Sequence, residues 1–362
     1  YVQQFFYFCF NIMLEEKQPK KTPLSELGEF ALIDYLTSNF KLQNKSTIYG
    51  VGDDAAVIDM GNKHQLVSTD MLIEGVHFDL AYTPLKHLGY KAVTTNISDI
   101  CAMNAVAKQI TVSLAVSNRF TLEAIEELYQ GIHAACDKYK VDLVGGDTTS
   151  SQSGLTLSVT VLGEARKEDV VYRSGAQEHD LLVVSGDLGS AYLGLQVLSR
   201  EKQVFDANPN MQPDLEGKDY ILERQLKPEA RRDVVNILRS NKIKPTSMID
   251  VSDGLSSELL HICKNSQVGC AVYEDKIPID FTAIPIAEEL NISPITCALN
   301  GGEDYELLFT IKQSDYEKLK DDPDFTIIGH ITDSSEEAKL ITKDGESYPL
   351  IAQGWTSLSG SE

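Results

Sequence analysis

The sequence is poor in the features that most quickly assign a function. Its six cysteines (Cys9, Cys101, Cys136, Cys263, Cys270 and Cys297) form no C-x-x-C pair and have no metal-ligand spacing, which argues against a zinc site or a disulfide framework. Their neighbours are apolar or helical, so they read as reduced, mostly buried thiols of a cytoplasmic protein. Positive charge is scarce, with 32 Lys and Arg against 54 Asp and Glu, for a formal charge of -22. So negative a surface makes nucleic acid and anionic membranes poor partners. No apolar run approaches the ~20 residues of a membrane span. There is no G-x-x-x-x-G-K-[ST] loop, no H-R-D or D-F-G set and no G-x-S-x-G elbow, so P-loop enzymes, protein kinases and serine hydrolases are disfavoured. The run Ser185-Gly186-Asp187-Leu188-Gly189 follows a strand but lacks the dinucleotide-binding G-x-G-x-x-G spacing.

The opening residues YVQQFFYFCFNIML are aromatic but broken by Gln3, Gln4 and Asn11, without a charged leader or a small-residue cleavage site. A signal peptide is not expected. Met13 opens a polar stretch, and the expectation is a true start there, with residues 1–24 a disordered extension.

Ordinary globular composition, 42% hydrophobic and 24% charged over 362 residues, suits two domains or one large one. Helical spacing runs over Leu27–Leu36 and Leu85–Ala105, and Thr121 is placed to cap a helix reaching Lys140. Val57–Ile58, Gln65–Ser68, Ile110–Val116, Leu143–Val144 and Leu155–Leu162 read as strands. A polar joint, Glu164–Asp180, precedes a second half of strand–turn–helix units. Phe205–Lys218 reads as an exposed insertion, and Asp344-Gly345 as a hairpin turn. The fold class is therefore mixed α/β (α+β). The expected domains are 25–165, binding metal and ATP, and 166–358.

Five acidic clusters share one format, an Asp beside Gly, Ser or Thr at the end of a strand or the start of a helix. They are Gly52-Asp53-Asp54, Ser68-Thr69-Asp70, Asn96-Ile97-Ser98-Asp99, Gly145-Gly146-Asp147-Thr148-Thr149 and Asp250-Val251-Ser252-Asp253-Gly254. Singly, each could be a turn or a helix cap. Asp99 resists that reading, because it lies among Ile97, Ile100 and Ala102 on an amphipathic helix, where an unpaired carboxylate is costly to bury. Adjacent Asp53 and Asp54 likewise repel unless something positive sits between them. Carboxylates and hydroxyls are hard oxygen ligands that select magnesium or calcium over zinc. Converging clusters would form a site of several Mg2+ ions able to hold polyphosphate. The residues alone reach a magnesium-dependent enzyme acting on phosphates.

Read together and in order, LGEFALI, YGVGDDAAV, STDMLIEGVHF, KAVTTNISDICAMNA, LVGGDTT, YRSGA, IDVSDGL and LNGGEDYELLFT span residues 27–309. The set resembles the thiamine-monophosphate kinase family, of the superfamily that includes aminoimidazole ribonucleotide synthetase and selenophosphate synthetase. The resemblance implies ATP-dependent, direct in-line phosphorylation of thiamine monophosphate to thiamine diphosphate. It also implies a homodimer paired through the N-terminal sheets. It assigns Asp54, Thr69, Asp70, Asp99, Asp147, Asp250 and Asp253 as magnesium ligands, with Asp53 beside them. Gly146, Asp147, Arg173 and Ser252 match ATP-contacting positions, and Asp99, Asp147 and Arg173 those closest to the chemistry. His77 and Glu303 match the thiamine site, and Trp355 is the nearest equivalent of an aromatic residue there. The alternatives are another enzyme of the superfamily, such as aminoimidazole ribonucleotide synthetase, and a non-catalytic metal and nucleotide binder.

Overall fold

The computed structural model describes residues 29–39 and 41–353. Helix α1 (Glu29–Thr37) belongs to a unit of its own. Its last turn is closed by the Thr37 hydroxyl, which donates to the Ile33 carbonyl at 2.8 Å.

In the second unit, strands β1 (Thr47–Tyr49), β2 (Ala56–Asp59), β3 (His64–Ile73), β4 (Val106–Val116), β5 (Asp142–Ser150) and β6 (Thr156–Ala165) form a sheet of order β1-β2-β3-β6-β4-β5. All neighbours are antiparallel except β4 and β5. That parallel pair needs a crossover, supplied by α3 (Leu122–Tyr139). As expected, the Thr121 side chain caps α3, accepting from the Ala124 amide at 3.3 Å.

Helix α2 (Leu85–Ala102) lies against β3 and β6 and also meets β8 of the second half. Every residue from Leu88 to Ala102 is buried except Asp99. The helix stops three residues short of the expected Ala105 because Asn104 turns left-handed, with φ 54°.

The second half contains α4 (Ser190–Ala207), α5 (Asp219–Leu226), α6 (Arg232–Ser240), α7 (Leu255–Ser266), α8 (Ala283–Glu289) and α9 (Pro294–Asn300). Its strands are β7 (Leu181–Ser185), β8 (Ser247–Asp250), β9 (Gly269–Tyr273), β10 (Leu307–Ile311), β11 (Phe325–Thr332), β12 (Lys339–Ile341) and β13 (Ser347–Pro349). They form a sheet of order β13-β12-β9-β11-β7-β10-β8. The Asp344-Gly345 turn joins β12 and β13, and residues 208–218 make the mostly exposed insertion. One apolar core runs from Leu66, Ile97 and Val159 of the first half to Val183, Met248 and Phe309 of the second. The five cysteines among the described residues are buried and unpaired. No helix among those residues is long and apolar enough to cross a membrane.

Helices α2 and α3 touch backbone to backbone. A Cβ on Gly89 would stand 2.0 Å from the Leu128 carbonyl oxygen, and one on Gly131 would stand 1.9 Å from that of Lys86. Neither obstacle is a movable side chain, so any substituent must separate the helices. Gly131→Ala is expected to destabilise the protein by ~1–3 kcal/mol through overpacking, read as a lower urea midpoint at unchanged slope.

Candidate active site

The GDD run enters β2, STD lies within β3, and NISD lies in the last turns of α2. The IDVSDG run joins β8 to α7. Burial of the strands and of α2 fixes the register that turns their acidic members toward one another. One carboxylate oxygen from each of Asp54, Asp99 and Asp250 lies within 4.8 Å of the others.

Serine hydroxyls support two of these groups. Ser68 Oγ donates to Asp99 Oδ2 at 2.5 Å, and Ser98 Oγ donates to Asp250 Oδ2 at 2.5 Å. The cation of the group is Arg173. Its Nε and Nη2 donate to Asp54 Oδ1 at 3.2 and 2.6 Å, while its backbone N–H donates to Asp53 Oδ2 at 3.1 Å. Asp54 Oδ2 is buried and lacks a hydrogen-bond partner. The Asp70 backbone N–H donates to Asn96 Oδ1 at 3.1 Å.

These surroundings oppose ionisation. Burial, then the Asp54 charge, raises Asp53 from its ordinary 3.8 to about 7, against the pull of Arg173. Burial, then Asp54, raises Asp250 to about 7 despite the Ser98 hydrogen bond. Asp99 stands well above its ordinary value through burial, then the charges of Asp70, Asp250 and Asp54. Asp54 is raised by burial, opposed by Arg173. Such a set is short of positive charge. All the converging donors are hard oxygens and one is orphaned, so the residues fit a hard divalent cation such as Mg2+.

Other expected residues lie elsewhere. Thr69 turns to the outer face of the sheet, its hydroxyl 3.0 Å from that of Thr160. Gly146 aligns with Val112, Val159 and Asp70 across the sheet, and Asp147 with Ser113, Ser158 and Met71. Side chains alternate along a strand, so Asp147 occupies the face opposite Asp70, on an edge strand three spacings (~14 Å) away. Gly146 is required by space, because a Cβ there would stand 1.8 Å from the Val112 carbonyl oxygen. What read from sequence as a short strand followed by a possible Gly-Gly loop is continuous strand through Ser150.

Asp253 sits at the start of the turn into α7, where its N–H donates to Glu258 Oε1 at 3.0 Å. Ser252 and Glu303 come together, with the Glu303 N–H donating to the Ser252 carbonyl at 2.7 Å. Glu303 adopts φ 59°. Its Oε1 pairs with the buried ammonium of Lys91 at 2.8 Å, and its Oε2 accepts from Gln225 Nε2 at 2.8 Å. His77 follows β3, its Nδ1 accepting the Ile73 N–H at 3.1 Å. Tyr82, on the same connection, feels the Glu303 charge. Trp355 lies outside the described residues.

Sequence reading missed Glu258, Lys91 and Gln225. Glu258 is buried, and its carboxyl stands well above the ordinary range through burial and then the Asp253 charge. Its position inside IDVSDGLSSELL, among apolar helical residues, was the available signal. Nothing local marked the other two, whose partner is distant in sequence. The SGDLGS turn has its own occupant, because Asp304 accepts the Gly189 N–H at 2.8 Å and caps α4.

Two mixed sheets with aspartates converging where they meet define the AIR synthase class. Accordingly, the family described as AIR synthase related protein, N-terminal domain, matches residues 52–165, and its C-terminal domain matches residues 177–341. Within that class the chain belongs to the thiamine-monophosphate kinase family. It is 34% identical to the thiamine-monophosphate kinase of Bacillus subtilis, an alignment covering 91% of this chain and 99% of that one. It is also 34% identical to that of Aquifex aeolicus, over 92% and 98%. A solved structure described as AaThiL complexed with AMPPCP and TMP superposes with a TM-score of 0.78 at 31% identity, covering 93% of this chain and 99% of that one. The hydrogenase maturation protein HypE in complex with ATP, 18% identical with a TM-score of 0.66 over 94% and 100%, shares the fold.

The raised carboxyls give the metal-free protein a definite pH response. Asp53 and Asp250, at about 7 when folded, hold protons that the unfolded chain releases near 3.8. The native state therefore binds more protons between about pH 4 and 7, and stability falls as pH rises through that window. In EDTA the melting temperature is expected to drop from pH 5 to pH 8, with a smaller drop in Asp250→Asn or when Mg2+ replaces EDTA. Equal drops in all three cases would contradict this electrostatic picture.

Proposed function

We propose that the protein is a phosphotransferase that moves the γ-phosphoryl group of ATP to thiamine monophosphate, giving thiamine diphosphate by direct in-line transfer. The observation that carries this reading is the near full-length likeness to the relative complexed with AMPPCP and TMP. It is joined by convergence of Asp54, Asp99 and Asp250 from both halves. The functional halves are residues 25–165 and 166–358.

Asp54, Asp99 and Asp250, with Asp53, Asp70 and Asp253 at the margin, would hold Mg2+, while Thr69, whose hydroxyl turns to the outer face, stands apart from them. Bound there, Mg2+ supplies charge neutralisation for two phosphate substrates that otherwise repel each other. Arg173 adds a planar cation beside the same carboxylates, suited to a phosphate oxygen. Ser252, beside the aspartates, contacts ATP; Gly146 and Asp147, on an edge strand three spacings (~14 Å) from Asp70, reach a nucleotide only across the dimer. No general base is needed, because the acceptor is a phosphate whose second ionisation lies near pH ~6. His77 fits this division of labour. Its Nδ1 already accepts a backbone N–H, so the neutral ring carries its proton on Nε2 and donates. Glu303, oriented by Lys91 and Gln225, and Trp355 recognise the thiamine rings.

The working state is a homodimer joined through the first sheet. Its outer face carries exposed Met71, and Val144 is exposed on the β5 edge. In that pairing Asp147 faces the second copy, which gives a place to a residue that one chain keeps apart from the other aspartates. Buried free thiols suit the cytoplasm.

Incubation of the purified protein with ATP, Mg2+ and thiamine monophosphate is expected to give thiamine diphosphate, resolved by chromatography. Absence of that product would end the proposal. Asp99→Asn should lower turnover at least ~100-fold with its circular dichroism unchanged. Glu303→Ala is expected to raise KM for thiamine monophosphate more than for ATP; equal increases would make Glu303 a structural residue.

A further inference from the structure

A cavity of about 570 Å³ opens away from the aspartates, where the first sheet meets the end of α6. Lys63, Lys108, Arg166, Arg239, Lys242 and Lys244 line it. That is six of the chain's 32 cationic side chains, in a molecule of net charge -22. Only Glu164 and Asp169 oppose them within the lining. Both acids are already committed. Glu164 bridges Lys63 at 2.8 Å and Lys108 at 3.4 Å, while Asp169 takes the fork of Arg166 at 2.7 and 2.8 Å.

The remaining three cations make no ion pair or hydrogen bond with a carboxylate among the described residues. Arg239 Nη2 donates to the Asn104 carbonyl, its Nε is buried without a partner, and Lys244 reaches only the Glu168 carbonyl. Burial leads in lowering the Arg239 guanidinium below its usual value, against the pull of the Asp169 charge. Val106, Ala165 and Ile243 supply apolar wall between the charges. A volume of this size holds a small metabolite.

We propose that this cavity is a second ligand site, which takes a small phosphorylated metabolite with its phosphate against Arg239, Lys242 and Lys244. A phosphate ester carries about −1.5 to −2 charge and three acceptor oxygens, which matches three cations that find only carbonyl acceptors or none. Uncharged sugars gain nothing from them, and the strong negative field elsewhere rejects a free anion without metal. The site is separate from the aspartates. Lys63 precedes β3 and Asp70 lies seven residues further on, ~23 Å along an extended strand.

Ribose 5-phosphate serves as the probe, titrated calorimetrically into the full chain in EDTA, where Mg2+-dependent binding at the aspartates is silent. Saturable binding tighter than ~1 mM is expected, weakening as salt is raised, with ribose giving no heat. The exposed pair Lys242→Glu with Lys244→Glu should weaken it at least ~10-fold at unchanged melting temperature. No saturable binding, equal binding of ribose, or an unchanged affinity in the double variant would overturn the proposal. The titration contains neither ATP nor thiamine monophosphate, so its result is independent of the kinase reading.

Discussion

Repulsion among the carboxylates of Asp54, Asp99 and Asp250, held within 4.8 Å of one another, is the constraint to which the surrounding structure answers. The three come from a loop, a helix and a strand in different parts of the chain, and each is met by a specific donor. Arg173 forks onto Asp54, Ser68 onto Asp99 and Ser98 onto Asp250. Neutral hydroxyls lower the cost of burying an anion but do not cancel its charge. One guanidinium among several acids leaves the group poised for a cation. Breaking such a buried pair from one side is costly, because the abandoned charge stays behind. The neighbouring packing is correspondingly rigid, with α2 buried along its length and joined to α3 through Gly89 and Gly131.

A second buried charge system lies under the other motif loops, and there each acid meets a cation. Glu306 accepts from Ser185 at 2.6 Å and Arg224 at 2.9 Å, and also from Arg231. Asp304 caps α4 beside it. These pairs anchor the segment 303–306, whose Glu303 and Tyr305 both take positive φ. Backbone strain of this kind persists only where neighbours over-determine it. Here the neighbours are the Ser252 and Val251 carbonyls, which accept from the Glu303 and Tyr305 amides. The network therefore aims the Glu303 carboxylate at Lys91 and Gln225, and does so without sharing a residue with the aspartate group.

Much of this could be read in the residues, for a physical reason. An Asp set among apolar neighbours, as Asp99 is, or doubled, as Asp53 and Asp54 are, carries a local penalty that sequence displays. The capped α3 helix and the Asp344-Gly345 turn were equally local. What sequence could not display was partnership over distance. Ser98 and Asp250 stand 152 residues apart, and Gln225 and Glu303 stand 78 apart. Gly145-Gly146 carries a loop-like composition, yet becomes strand because β4 requires a neighbour with no side chain beside Val112. Asp147 shared the format of the other acids, while alternation along β5 sent it to the opposite face.

The position of Arg173 also bears on how the molecule is made. Residues 53, 54, 70 and 99 all precede it in the chain, and the cation that ties Asp53 and Asp54 follows β6, after the first sheet is complete. A nascent chain with only that sheet outside the ribosome holds the acids without their counter-charge. Synthesis proceeds at about 5–20 residues per second, so the interval is long compared with helix and hairpin formation. The first sheet must wait, protonated or screened by ions of the surrounding solution, until the next segment emerges to neutralise it.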